Sequence, residues 1–186
     1  MSVGRLGVLV ASSAAGLLLA GCVPTMLSGR VSSELVSTPA SRATFFVAGA
    51  DRSGIGVTER QIQRLIADEM MKLGFVATSS RDSADLAVLY SYNVGEGRTQ
   101  VSSSPDFVWG GQKVESHTEY PRSFQIAIVD SKASQLPDRV KMLWQGELFS
   151  TGSTSDIAVL ANHFVSELFR NFGRSETNRR FRRLLR

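Results

Sequence analysis

Two histidines, one cysteine and a few carboxylates beside apolar runs are the residues of this 186-residue chain through which chemistry could pass. His117 and Glu119 stand as His-x-Glu, the spacing with which zinc deaminases pair a metal ligand and an acid/base carboxylate. That reaction also requires Pro-Cys-x-x-Cys, and the chain holds a single cysteine, Cys22. One thiol likewise leaves no cysteine-rich metal site and no intrachain disulfide. His163 follows helical spacing beside Phe164, where packing is the expected role. The signatures His-Glu-x-x-His, Gly-x-Ser-x-Gly and Ser-x-x-Lys do not occur. Gly95-Glu96-Gly97 lacks the continuation of a phosphate loop. No catalytic residue, metal or cofactor is expected.

Carboxylates far apart in sequence can still meet in space, as glycoside hydrolysis requires. Asp85 and Asp130 stand at the ends of apolar runs, where a sheet could present them together. The plainer reading has both capping turns through bonds to backbone N–H groups. Trp144, in an alternating run, reads as a core aromatic.

Two segments point to binding rather than catalysis. Gly95 to Pro121 separates two clear strands, and "RTQVSS" and "QKVESH" could pair as a long hairpin arm. Phe107, Val108 and Trp109 would then stand at its tip as an interaction site, or fold back over the sheet. The second segment is the C-terminus. From Gly173 to Arg186 six arginines and one glutamate give a net charge of +5, so the remainder carries −1 against a total of +4. Phe181, Leu184 and Leu185 fall at helical spacing among Arg179, Arg180, Arg182 and Arg183. The reading is either a short basic amphipathic helix for an anionic lipid surface or a charged partner, or a solvated end.

The elements that must carry these residues begin with an address. Arg5 precedes fifteen uncharged residues, Leu6 to Ala20. As a helix they would span roughly 22 Å, too short for a hydrocarbon core of about 30 Å. A charged start, a short apolar run and small residues are the layout of a secretory signal. Leu19-Ala20-Gly21-Cys22 then resembles the lipobox of bacterial lipoproteins. That resemblance implies cleavage before Cys22, a covalent diacylglycerol and N-acyl group on it, and a signal peptide of residues 1–21. Val23, not aspartate, follows, which favours the outer membrane facing the periplasm. Export removes nucleic acid as a partner of the arginines.

Residues 22–42 read as a lipid-anchored tether, with a short strand near Val31 to Val36 as the alternative. The folded domain is expected over 43–172, and 173–186 as an arginine-rich tail. Within the domain "ATFFVAG" reads as a buried strand. Thr58 and Gln61 suggest a capping box ahead of a helix with Ile62, Leu65, Ile66, Met70 and Leu73 inward and Gly74 as its stop. Strands follow at 75–79, 85–94, 122–130 and 139–150. A helix capped by Ser155 then carries Ile157, Leu160, Phe164 and Leu168. The order β-α-β-β-β-β-α predicts an α+β domain, a mainly antiparallel sheet with two helices packed on one face.

This order, with Gly74-Phe75, "ADLAV" (84–88), "IAIVDSK" (126–132) and "LWQGE" (143–147), resembles a family of small bacterial envelope lipoproteins carrying a domain of unknown function. The resemblance covers roughly residues 43 to 172 and implies no activity. A membrane-anchored, non-enzymatic binding or structural module is the expected function. An envelope hydrolase using carboxylates, or an accessory lipoprotein of an envelope transport system, are the alternatives.

Overall fold

The computed structural model describes residues 26–49, 56–106, 110–132 and 140–185. Cys22 with the signal segment, and Phe107, Val108 and Trp109, lie outside the described residues.

Helix α1, Val57–Lys72, turns Ile62, Ile66 and Met70 inward at four-residue spacing. Gly56 is its N-cap and makes no side-chain bond. Thr58 therefore sits inside the first turn rather than capping it. The carboxylate of Glu59, three positions past the cap, turns back toward the Gly56 N–H and its own N–H, as the acidic member of a capping box does. Gln61 is free for another task, and its amide donates to the Ala158 carbonyl at 3.1 Å. At the far end Gly74, with φ of 89°, occupies the left-handed region. Its N–H donates to Met71 and that of Phe75 to Met70, which closes the helix in a Schellman motif. The second helix, α2 (Ile157–Phe169), is capped by Asp156, whose carboxylate accepts from Ala158, and not by Ser155.

The expected strands are present: β2 (Thr44–Gly49), β3 (Val76–Ala77), β4 (Leu86–Val94), β6 (Gly111–Asp130) and β7 (Met142–Gly152). Three more join them: β1 (Met26–Leu35), β5 (Arg98–Asp106) and β8 (Glu176–Leu184). The sheet runs β3-β2-β4-β6-β7-β1-β8, with β5 paired only to β6. Pairing is parallel between β2 and both β3 and β4, which α1 makes possible by crossing between them, and antiparallel elsewhere. The architecture is thus α+β, an antiparallel-dominated sheet covered by two helices on one face.

Two segments differ from expectation. The supposed tether contributes ten residues to β1, a longer version of the alternative strand. The supposed tail is β8, neither helix nor loose end. Its i, i+3, i+4 apolar spacing loses to a period-two pattern, because the free edge of β1 offers a full row of backbone partners, Met26↔Leu184 through Val31↔Arg179.

Alternating residues of the sheet build the core. Trp144, Phe124, Ile126, Ile128, Leu148 and Val31 are fully buried against Phe164, Leu160 and Leu168 of α2. Each such side chain contributes roughly 1.5–3 kcal/mol by leaving water. Phe124 lies between Tyr90 and Tyr92, 6.4 Å from each ring. The Trp-x-Gly of β7 has a packing reason. A Cβ on Gly146 would stand 2.6 Å from the Trp144 indole, so only glycine lets the ring lie along its own strand. There it meets Phe172 at 5.4 Å and Phe169 at 6.1 Å.

Candidate functional site

The carboxylates singled out in the sequence meet in space but are already engaged. Leu86 pairs with Asp130 in register, which brings Asp85 to the same sheet end. Asp85 accepts from the Thr44 N–H at 3.0 Å and its hydroxyl at 2.8 Å, and pairs with Lys132 at 2.7 Å. Lys132, followed by the bonds to Thr44, holds its carboxyl well below the usual carboxylate range. Asp130 accepts from the Lys132 N–H and faces Lys141 at 3.7 Å. A general acid needs a raised pKa, and Asp85 is displaced the other way. The pair secures a sheet corner. His117 sits on an exposed strand 3.5 Å from Glu119, and His163 is half-buried in α2. Among the described residues no group of three or more His, Cys, Asp or Glu could hold a metal ion.

The four arginines assigned to the tail divide by face. Arg179 and Arg183 point inward with Phe181, under α2. They converge on Glu167, a fully buried carboxylate: Arg179 Nη2 lies 2.6 Å from Oε1 and Arg183 Nε 2.8 Å from Oε2. Glu176 adds a second contact to Arg179 at 3.1 Å. Burial pushes the Glu167 pKa up, but the bonds from Arg179 and Arg183 outweigh it, and the group is held below its ordinary value. This cluster is structural. Glu167, not singled out in sequence, does carry a sequence signal: it is an acid within the apolar stripe between Phe164 and Leu168.

Arg180 and Arg182 point to the opposite face, away from the helices. Arg180 stands directly across from Arg30 of β1, and Arg30 in turn faces Phe149 of β7. Ser28 lies between Arg182 and Thr151. Among the described residues none of Arg30, Arg180 and Arg182 has an ionic partner. Like charges directly opposite across two strands repel. These side chains border an open groove of about 960 Å³ whose other wall includes Asn93 and Pro121. Phe149 rises from it half exposed, at 52%. Beside the groove, buried Arg122 donates to Thr154 O and Ser150 Oγ, while its Nε finds no partner. Arg30, Arg122 and Phe149 were not singled out in sequence, since each depends on strand register for its place.

The hairpin arm forms as anticipated. β5 pairs with Gly111–Glu119 of β6, while the bonds of β6 to β4 and β7 begin only near Tyr120 and Arg122. Nine paired residues thus project roughly 30 Å past the sheet end. Its described residues are exposed up to His117. One face carries Arg98, Lys113, Glu115, His117 and Glu119. The other carries Thr99, Val101, Ser103, Pro105, Gln112, Val114, Ser116 and Thr118, with no charge at all. Val101 and Val114 are 68% and 64% exposed.

The fold and these surfaces define a two-layer α+β module with an open groove, an exposed arm and no metal-ligating cluster among its described residues. The chain belongs to the DUF4136 family, a domain of unknown function, which matches residues 41–172. Strands β1 and β8 lie outside the matched span. Similar solved structures include a PDZ domain protein from Parabacteroides distasonis, 16% identical with a TM-score of 0.53. The likeness covers 84% of this chain and 38% of that one, so this chain spans well under half of its length. A DUF4136 family protein from Bacteroides thetaiotaomicron is 19% identical, with 76% and 94% covered and a TM-score of 0.48. A PelC dodecamer from Paraburkholderia phytofirmans is 13% identical, with 75% and 94% covered and a TM-score of 0.42. No curated protein matches the chain.

Proposed function

We propose that this protein is a lipid-anchored, non-enzymatic module of the bacterial cell envelope, held in the outer membrane through Cys22, that engages a partner protein with the β5–β6 arm. The observation that carries the reading is the arm itself. A two-stranded ribbon exposed on both faces contributes little to folding and is marginal alone. Yet one face presents an uncharged row of Val, Thr and Ser, the surface a β-ribbon offers for pairing or packing. Family membership and the lipobox resemblance support the envelope location.

A photoreactive residue placed at Val101 or Val114 in intact cells tests the partner. One discrete crosslinked protein is expected from these sites and not from Glu115 on the charged face. Equal labelling of many proteins from both faces would refute a dedicated surface. The anchor is tested separately: Cys22→Ser should abolish metabolic labelling with palmitate.

A further inference from the structure

The chain emerges onto the sheet at a particular place. Met26, the first described residue, is four residues past Cys22, and four extended residues reach at most about 14 Å. An acylated Cys22 therefore keeps the start of β1 close to the bilayer. At that start Met26 pairs with Leu184 on the outer face, exposed at 42% and 47%. The next outward residues along the two strands are Ser28 and Arg182, then Arg30 and Arg180. An apolar pair followed by three guanidiniums with no ionic partner among the described residues is a surface matched to an acyl boundary and its phosphates.

The arm selects the orientation. It projects from this same sheet end, because Met26 lies just beyond Ser28, which aligns with Thr151 and Pro121. A domain standing on that end would need about 30 Å of clearance, twice what the anchor allows. Nor can the arm enter hydrocarbon, since it carries Arg98, Lys113 and Glu115 and its outer backbone edge is open. The domain must lie down. Toward this end the outer face of the sheet carries Met26, Leu184, Phe149 and the three arginines. Its carboxylates Glu34 and Glu147 lie toward the other end and are bonded to Gln145 and Gln125, and the opposite face is covered by the helices.

We propose that the outer-face groove over β1, β7 and β8 binds the headgroups of anionic phospholipid and seats the domain flat on the membrane that holds its anchor. Arg30, Arg180 and Arg182 take the phosphates, which removes the repulsion between the two opposed arginines. Met26 and Leu184 enter the acyl boundary. The proposal rests on the anchor reading of Cys22.

The test uses the full chain, purified from membranes and reconstituted into vesicles, with a nitroxide on Leu184→Cys. With Cys22 acylated, that thiol is the only free one. A second label at Val76→Cys, on the far edge strand, reports solvent. In vesicles containing phosphatidylglycerol the label on Leu184→Cys is expected to be shielded several-fold from an aqueous paramagnetic complex relative to that on Val76→Cys. Phosphatidylcholine alone, or Arg30→Gln with Arg180→Gln and Arg182→Gln, should remove the shielding while the protein stays vesicle-bound. A Leu184→Cys label in water on a vesicle-bound, acylated protein overturns the proposal and leaves the anchor standing. So does shielding that ignores both lipid charge and the triple variant. So does removal of the shielding by excess soluble glycerol phosphate, which would make the ligand a free phosphate ester. Palmitate labelling that survives Cys22→Ser overturns the anchor and the proposal with it.

Discussion

The two faces of β8 carry the same residue type to opposite ends. Arg179 and Arg183, facing α2, are held against buried Glu167 at 2.6 and 2.8 Å. Arg180 and Arg182, one residue away, have no ionic partner among the described residues and stand beside Arg30. A buried charge needs its counter-ion to avoid a desolvation cost of several kcal/mol. An exposed charge is solvated and needs none. The inner arginines are thus committed to the fold and the outer ones are left to solvent. Six positive charges in a row of fourteen residues look alike in sequence, and their roles diverge by alternation alone.

That contrast can be broken from the inside first. Phe181→Ala, which empties the apolar position between the two inner arginines, should cost about 3 kcal/mol by the usual range for buried aromatics. Chemical denaturation would read it as a lower midpoint, and an unchanged midpoint would mean that β8 is not docked. Glu167→Gln should cost roughly 2 kcal/mol. Breaking a fully buried pair usually costs about 3–5 kcal/mol, and the value is lower here because Arg179 and Arg183 remain a quarter exposed to water.

Acid sharpens the same comparison. The folded Glu167 pKa lies below its ordinary 4.5, so its contribution is fully present above that value. It is lost as pH falls through the lower folded pKa. Denaturation midpoints measured downward from neutral pH should therefore drop less steeply below about 4.5 for Glu167→Gln than for the parent. Asp85, held low by Lys132, loses its contribution below its ordinary range alike in both proteins and so drops out of the comparison.

On the outer face the sign should reverse. Arg180→Gln relieves the repulsion across from Arg30 and should stabilise the free protein by about 0.3 kcal/mol, or leave it unchanged. A loss comparable to that of Glu167→Gln would show that the outer arginines are structural after all. The smallest effect belongs to the arm. Joining Gly97 to Tyr120 through a two-residue turn should leave cooperative unfolding intact with a midpoint shift near zero, since the arm packs on nothing described.

Much of the fold was legible locally. Four-residue apolar spacing marks α1 and α2, the Gly74-Phe75 stop is a backbone requirement, and alternating runs mark β4, β6 and β7. Caps shifted by a residue or two, because Thr58, Gln61 and Ser155 compete with neighbours that only the packed helices rank. The arm was readable from its two polar alternating runs. The edges were not. Met26–Leu35 and Glu176–Leu184 have weak periodicity: the first becomes a strand by pairing with β7 and β8, the second by pairing with β1 alone. Of the candidate site, Arg180 and Arg182 were named in sequence, but as part of a helix or a loose end and not of the strand that holds them. Arg30 and Phe149 acquire meaning only from the register that aligns them.

What the sequence determined by itself is what depends on near neighbours: the helices and their ends, the inner strands, the fold class and the charge of the last fourteen residues. What tertiary structure decided is which of those charges is inside. At β8 the register against β1 shifts by one residue between Val31 and Ser33, with Asn178 at a φ of 55°. A one-residue shift in a strand exchanges its two faces. That bulge, formed only when β1 and β8 pair, sends Arg179 and Arg183 to Glu167 and leaves Arg180 and Arg182 over the groove.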